Sequence, residues 1–267
     1  HWERTSAKLV VALVLGLPVA GVAWARAGSS LVTHTLEEYV QFIALLAALF
    51  VVSGGLFLAG DVRATPRTNT TMLAVGALLA SFVGTTGAAM LLIRPLLNTN
   101  RERARKVHTV VFAILVVANC GGLLTPLGDP PLYIGLMQGV PFTWTFHLLP
   151  EWLFVNGMLL VSYYGLDRRE YSRESPTDIA WDETAQTPLH LRGAWNIAWL
   201  AVVVASVALL SDHVWLKVAI QVGAALGSYL TTSRSVRFDD NEFNWAPIVE
   251  VAVLFAGIFL TMIPALE

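Results

Sequence analysis

Of 267 residues, 55% are hydrophobic and only 13% are charged, about half the charged fraction of a soluble domain. A water-soluble enzyme is excluded, and a lipid bilayer is the expected surroundings and partner. The net charge of −2 singles out no charged partner and no nucleic acid is expected, while the one cysteine, Cys120, forms no intrachain disulfide and reads as a small packing residue.

Apolar runs long enough to cross roughly 30 Å of hydrocarbon at about 1.5 Å per residue fall at 9–24, 36–59, 107–139 (interrupted), 147–166, 194–210, 214–231 and 247–263. The first follows Lys8 and ends in Ala23-Trp24-Ala25, the outline of a cleavable signal, but reads better as a span. Between the second and third runs lies 71–93, apolar but broken at its centre by Gly84-Thr85-Thr86-Gly87. The connection 167–192 holds Asp178, Asp182 and Glu183 and reads as a linker without a catalytic pattern. Residues 235–245 mix Arg237, Asp239, Asp240 and Glu242 with Phe238, Phe243 and Trp245, which suits either a short helix at the membrane interface or an ordinary loop.

If 71–93 enters the membrane and returns to the side it left, while every other run crosses, the basic residues sort 15 against 2, with only Arg26 and Lys217 in the minority. A crossing there would part Arg63 and Arg67 from the basic cluster at 94–106. The positive-inside rule therefore favours a re-entrant helical hairpin. It puts the connections 60–70, 94–106, 167–192 and 232–246 in the cytoplasm and makes the chain multi-pass in a bacterial inner membrane.

Backbone without helical hydrogen bonds is tolerated at membrane depth only where protein or a water-filled cavity satisfies it. Two runs break in that way. The hairpin tip Gly84-Thr85-Thr86-Gly87 joins glycines suited to a tight reversal with two hydroxyls; small residues that merely let helices approach would look alike. The second run, Asn119-Cys120-Gly121-Gly122-Leu123-Leu124-Thr125-Pro126-Leu127-Gly128-Asp129-Pro130-Pro131, divides 107–140, because no α-helix continues through it. Asn119 and Thr125 offer neutral oxygens, freed carbonyls offer more, and Asp129 offers a charge. That set suits a hard cation such as Na⁺ or, at Asp129, a proton. The plainer reading has Asp129 capping the half-helix that the prolines start.

Glu151 and Glu250 are carboxylates among apolar residues, functional suspects by default. Glu151 reads as interfacial beside Trp152, and Glu250 stays open as a proton carrier. His108 and His147 read as interfacial, and Asn156 as an interhelical hydrogen bond. No Ser and His or paired Asp arrangement supports an intramembrane protease.

The two breaks, in this order, resemble the ion transporter superfamily, closest to NhaD-type sodium/proton antiporters and citrate-transporter-like permeases. The likeness is carried by Phe50-Val51-Val52-Ser53-Gly54-Gly55, by the hairpin tip with Met90-Leu91-Leu92-Ile93-Arg94-Pro95-Leu96-Leu97, by 119–131 and by 243–264. It implies an all-α polytopic fold of two inverted repeats, each with a re-entrant hairpin (here 71–93) and a discontinuous transmembrane helix (here 107–140), and a homodimer. On that pattern 1–246 form the first half, His1-Trp2-Glu3-Arg4 is a loop following an earlier helix, and 247–267 begin a second half that is truncated.

The resemblance further implies secondary active transport with alternating access, no enzyme activity, and no cofactor beyond Na⁺ and H⁺ as transported or coupling ions. Sodium/proton antiport leads. A cation held among Gly84, Thr85, Thr86, Gly87, Asn119, Gly121, Gly122, Thr125, Pro126, Gly128 and Asp129 competes with protons at Asp129 or Glu250. The alternatives are a cation-coupled symporter for citrate, a dicarboxylate or an arsenite-type anion, and a non-transporting membrane subunit.

Overall fold

The computed structural model describes residues 5–27, 29–184, 186–210 and 213–265; the loop expected at His1 to Arg4 lies outside them. In chain order the helices are α1 (Thr5–Ala27), α2 (Ser29–Ser53), α3 (Pro66–Val83), α4 (Thr85–Thr99), α5 (Val107–Ala113), α6 (Pro130–Met137), α7 (Leu149–Tyr171), α8 (Pro176–Thr184), α9 (Asn196–Leu209), α10 (Val214–Thr231) and α11 (Ala246–Met262). Among the described residues, Thr5–Val22, Ser29–Ser53, Val107–Leu124 and Val214–Thr231 are long and apolar enough to cross a bilayer. Large apolar side chains stand outward as lipid requires: Val161, Leu209 and Leu230 are each more than 70% exposed.

The chain is mostly helical, but the all-α expectation needs a correction. Strand β1 (Phe57–Asp61) pairs antiparallel with β2 (Thr187–Arg192), Phe57 opposite Arg192 and Leu58 opposite Leu191. Helix α2 stops at Ser53 because Gly54-Gly55 follow, and glycine is a poor helix former. Phe57 to Ala59, an apolar tail of the second run in the sequence, is thereby released to pair as a strand. The 167–192 connection is likewise no plain linker: α7 extends into it, α8 follows, and β2 closes it.

The run at 71–93 is the middle of a longer helical hairpin. Thr65 caps α3, its Oγ1 accepting the Thr68 amide at 3.2 Å, with Pro66 in the first turn. Gly84 sits at φ +79° between α3 and α4, a conformation glycine adopts without strain. The two helices then lie side by side, so close that a Cβ on Gly76 would meet a δ-carbon of Leu92 at 2.6 Å. At the open end Asn69 and Asn100 exchange side-chain hydrogen bonds of 2.8 and 2.9 Å.

That open end is where the polar connections gather. The buried Asp167 carboxylate accepts Arg103 Nη1 at 2.7 Å, meets His108 Nε2 at 2.7 Å and accepts Asn69 Nδ2 at 3.4 Å. Glu174 accepts the amides of Ala104 and Arg105 at 3.3 and 2.9 Å, and Asp182 accepts the Ala64 amide at 3.0 Å. Arg192 pairs with Asp240, while Asn241 Nδ2 donates to the carbonyls of Gly54 and Leu56 at 3.0 and 2.8 Å. Side chains thus tie together the connections 60–70, 94–106, 167–192 and 232–246.

Residues 235–245 differ from a surface-lying helix. Ser235–Asp240 forms a wide π-helical turn that drives Arg237 inward to 1% exposure. Its guanidinium donates to the Val51 carbonyl at 2.7 Å and the Ser228 carbonyl at 3.1 Å, and lies 5.2 Å from the Phe243 ring centroid. The positive charge sits on the carbonyl ends of α2 and α10, where helix dipoles favour it.

Candidate functional site

Helix α5 does not unravel at Asn119. It widens into a π-helical stretch, Ile114–Asn119, and tightens into a 3-10 stretch, Cys120–Leu124, before turning extended at Thr125. Three of the carbonyls in this stretch are already taken. Gly121 O accepts Ser81 Oγ at 2.6 Å and Trp152 Nε1 at 2.9 Å; Cys120 O accepts Asn156 Nδ2 at 3.2 Å; Leu124 O accepts Thr145 Oγ1 at 2.9 Å. The Thr125 hydroxyl is also in use, donating to the Ser81 carbonyl and accepting the Leu127 amide at 3.2 Å. Asn119 lies exposed, with its amide on Ile114 O at 3.2 Å. Asn119, Gly121, Gly122, Thr125 and Pro126 therefore shape the loop and stand outside the cavity it borders.

That cavity, about 240 Å³, lies between the hairpin tip and the end of the loop. Gly84, Thr85, Thr86, Gly87, Gly128 and Asp129 make its polar wall, and Leu49, Phe50, Val251 and Phe255 of α2 and α11 make much of its apolar wall. The Thr85 amide donates to Gly128 O at 3.2 Å and joins the two breaks. Behind that bond Gly122 and Gly128 touch backbone to backbone, so that a Cβ on Gly128 would overlap the Gly122 carbonyl oxygen.

The wall has two chemical faces. Gly84 gives α4 no side-chain cap, which leaves the Thr86 and Gly87 amides and the positive end of the helix dipole for a ligand. The hydroxyls of Thr85 and Thr86 stand beside them. Opposite is Asp129. It occupies the N-cap position of α6, but its side chain caps nothing, so the capping reading needs correction. The Leu132 and Tyr133 amides bond its main-chain carbonyl, at 3.1 and 3.3 Å, and Pro130 and Pro131 have no N–H to offer. Among the described residues the Asp129 carboxylate has no hydrogen-bond or ionic partner of its own.

The remaining candidates lie elsewhere. Glu250 neighbours Ile248 and Val251, which line the cavity, but pairs with Lys8 of α1. Glu151 is exposed in the first turn of α7, and His147 is exposed with Nδ1 3.0 Å from Trp144 O. His108, expected at an interface, belongs to the Asp167 network. Three groups escaped the sequence reading. Ser81 organises the loop from inside α3, Ser53 stands buried against Gly87 with its hydroxyl unpartnered, and Glu38 is a buried carboxylate of α2. For Ser81 and Ser53 a lone polar residue in an apolar helical run was the available signal; Glu38 stands beside Glu37 and Gln41 in a polar stretch and gave none.

Residues 1–267 match the family model CitMHS_2, described as putative citrate transport. No curated protein and no solved structure gives a significant match. The match sides with the citrate-transporter-like part of the expected resemblance and does not extend to the NhaD type. Matched along its whole length, and with four helices fit to cross a bilayer among the described residues, the chain belongs to this citrate-transport family of multi-pass membrane proteins.

Proposed function

We propose that the protein is a secondary active transporter of citrate or a similar carboxylate, coupled to a cation or proton held at Asp129. The carrying observation is the unpaired Asp129 facing the uncapped start of α4 across one cavity. Free amides, hydroxyls and a helix N-terminus suit a carboxylate, whereas Asp129 repels one. Two like unit charges about 4 Å apart oppose each other by about 4 kcal/mol at an effective dielectric of about 20. The substrate therefore binds when Asp129 is neutralised, and coupling follows from the site's own charge. Sodium/proton antiport would also use Asp129, but it leaves the anion-seeking amides of α4 without a role.

The meeting of Asn69 with Asn100 supports a re-entrant hairpin, since both of its ends share the basic-rich end of the molecule. On this reading that end is cytoplasmic, the membrane is the bacterial inner membrane, and the cavity lies at the depth where broken helices of transporters bind. Helix α11, the start of a second repeat, closes the cavity with apolar residues.

Vesicles containing the full-length protein test the proposal. Labelled citrate is expected to accumulate when a proton or Na⁺ gradient is imposed. Asp129→Asn should retain citrate binding and lose at least about tenfold of the driven accumulation, a loss of about 1.4 kcal/mol or more in coupling. Sodium-dependent collapse of a proton gradient without citrate uptake would sink the carboxylate reading in favour of antiport.

A further inference from the structure

Helix α6 carries Asp129 at one end and Gln138 at the other. Gln138 Nε2 donates to Glu38 Oε1 at 2.7 Å, which ties the far end of α6 to a carboxylate 3% exposed in α2. The second oxygen, Oε2, is buried without a partner. An intramembrane carboxylate left in that state points to proton handling. The interior along α6 is otherwise polar as well: the Tyr133 hydroxyl lies within reach of the Gln221 amide, and neither residue is more than 1% exposed. Tyr133 leans on Phe42, one turn from Glu38, with ring centroids 6.2 Å apart.

His34 is the titratable neighbour that acts on Glu38 among the described residues. It sits one turn earlier on α2, Nδ1 3.6 Å from Glu38 Oε1, and its side chain is 65% exposed. From the other packed elements, Lys217 of α10 does not act on Glu38, and Lys8 of α1 and Glu250 of α11 are engaged with each other. His34 thus connects solvent to the buried acid.

We propose that Glu38 is a proton-binding site that acts on the cavity through α6. The His34 imidazole takes a proton from the bulk solvent and passes it to the Glu38 carboxylate, whose Oε1 stands 3.6 Å from Nδ1; the imidazole returns to neutral and the carboxylate becomes a neutral acid. The Gln138 amide then loses a charge-assisted bond and keeps a weaker neutral one. A short helix transmits that loosening to its other end, the backbone that carries Asp129. The effect on uptake rests on the carboxylate-transport reading; the protonation of Glu38 does not.

Infrared spectroscopy on the purified full chain in detergent, scanned across pH, separates the two. A protonated-carboxyl band is expected that titrates with pH, disappears in Glu38→Gln and survives in Asp129→Asn. Its persistence in Glu38→Gln overturns the proposal. Gln138→Leu leaves the carboxyl in place and should shift the band without removing it; an unshifted band overturns the link to α6. In vesicles Glu38→Gln should bind citrate as the unaltered protein does and lose the pH dependence of uptake. If the infrared results hold while no variant binds or moves citrate, the Glu38 site stands and the carboxylate-transport reading falls.

Discussion

Gly128→Ala is expected to abolish driven citrate uptake while lowering stability by only about 1–3 kcal/mol, the usual penalty for overpacking. The added methyl has nowhere to go, because it would overlap the carbonyl oxygen of Gly122, and a main-chain atom cannot swing aside as a side chain can. The loop must shift, and the two things it presents shift with it: the Gly128 carbonyl that accepts the Thr85 amide at 3.2 Å, and Asp129 itself. A displacement of about 1 Å at a positioned group is enough to remove about a hundredfold of activity. Uptake in vesicles, read beside thermal unfolding in detergent, checks the split between function and stability. Retained uptake would show that the Gly122 to Gly128 contact is not what positions Asp129. Gly157→Ala is the control, since a Cβ there meets nothing within 4 Å.

Asp167→Ala is expected to lower the unfolding free energy by about 3–5 kcal/mol, the range for breaking a buried ion pair. The two side chains are 0% and 3% exposed, and Arg103 is poorly provided for otherwise: its Nε and Nη2 make no hydrogen bond, and its second carboxylate, Glu174, stands 3.7 Å away. Removing Asp167 leaves the buried guanidinium with only the longer contacts to Glu174 at 3.7 Å and Asn100 at 3.3 Å, and also takes away an acceptor for His108 and Asn69. The intact pair itself offsets only its own desolvation, so Asp167→Asn, which keeps an acceptor but not the charge, should fall between. Chemical unfolding in detergent measures the loss, and limited proteolysis at 101–105 should report a loosened hairpin base. A loss under about 1 kcal/mol, typical of solvent-exposed pairs, would mean that water reaches the cluster.

Periodicity and punctuation made much of this fold readable in advance. The run at 214–231 is α10 to the residue, because its apolar stretch is bounded by polar residues on either side. The reversal was legible as the cluster Gly84-Thr85-Thr86-Gly87 at the centre of 71–93, and within it the turn falls at Gly84. The start of α3 was also written in Thr65-Pro66, a cap followed by a first-turn proline, but the apolar count began at Thr71 and passed over it. The β1–β2 ribbon was not legible, since strand pairing joins residues about 130 positions apart and Phe57-Leu58-Ala59 is apolar enough to extend a span. At the site, composition located both breaks but could not say which oxygens were spare. Ser81, Thr145, Trp152 and Asn156 consume the carbonyls of Cys120, Gly121 and Leu124 from other helices, and Lys8 engages Glu250 across 242 positions. Partners so distant in sequence leave no local trace.

The hairpin is fixed unequally along its length. At its base Asn69, Asn100, Arg103, His108 and Asp167 interlock, whereas the backbone link at its tip is the bond from Thr85 to Gly128. A single hydrogen bond is worth about 1 kcal/mol net, and one turn back from the tip Ser81 adds three more between α3 and the loop, to Gly121 O, from the Leu124 amide and, at its carbonyl, from the Thr125 hydroxyl. The arrangement is a beam fastened at its root by charged and amide side chains and again near its tip by Ser81, so the tip and the loop that borders the cavity are expected to move as one piece.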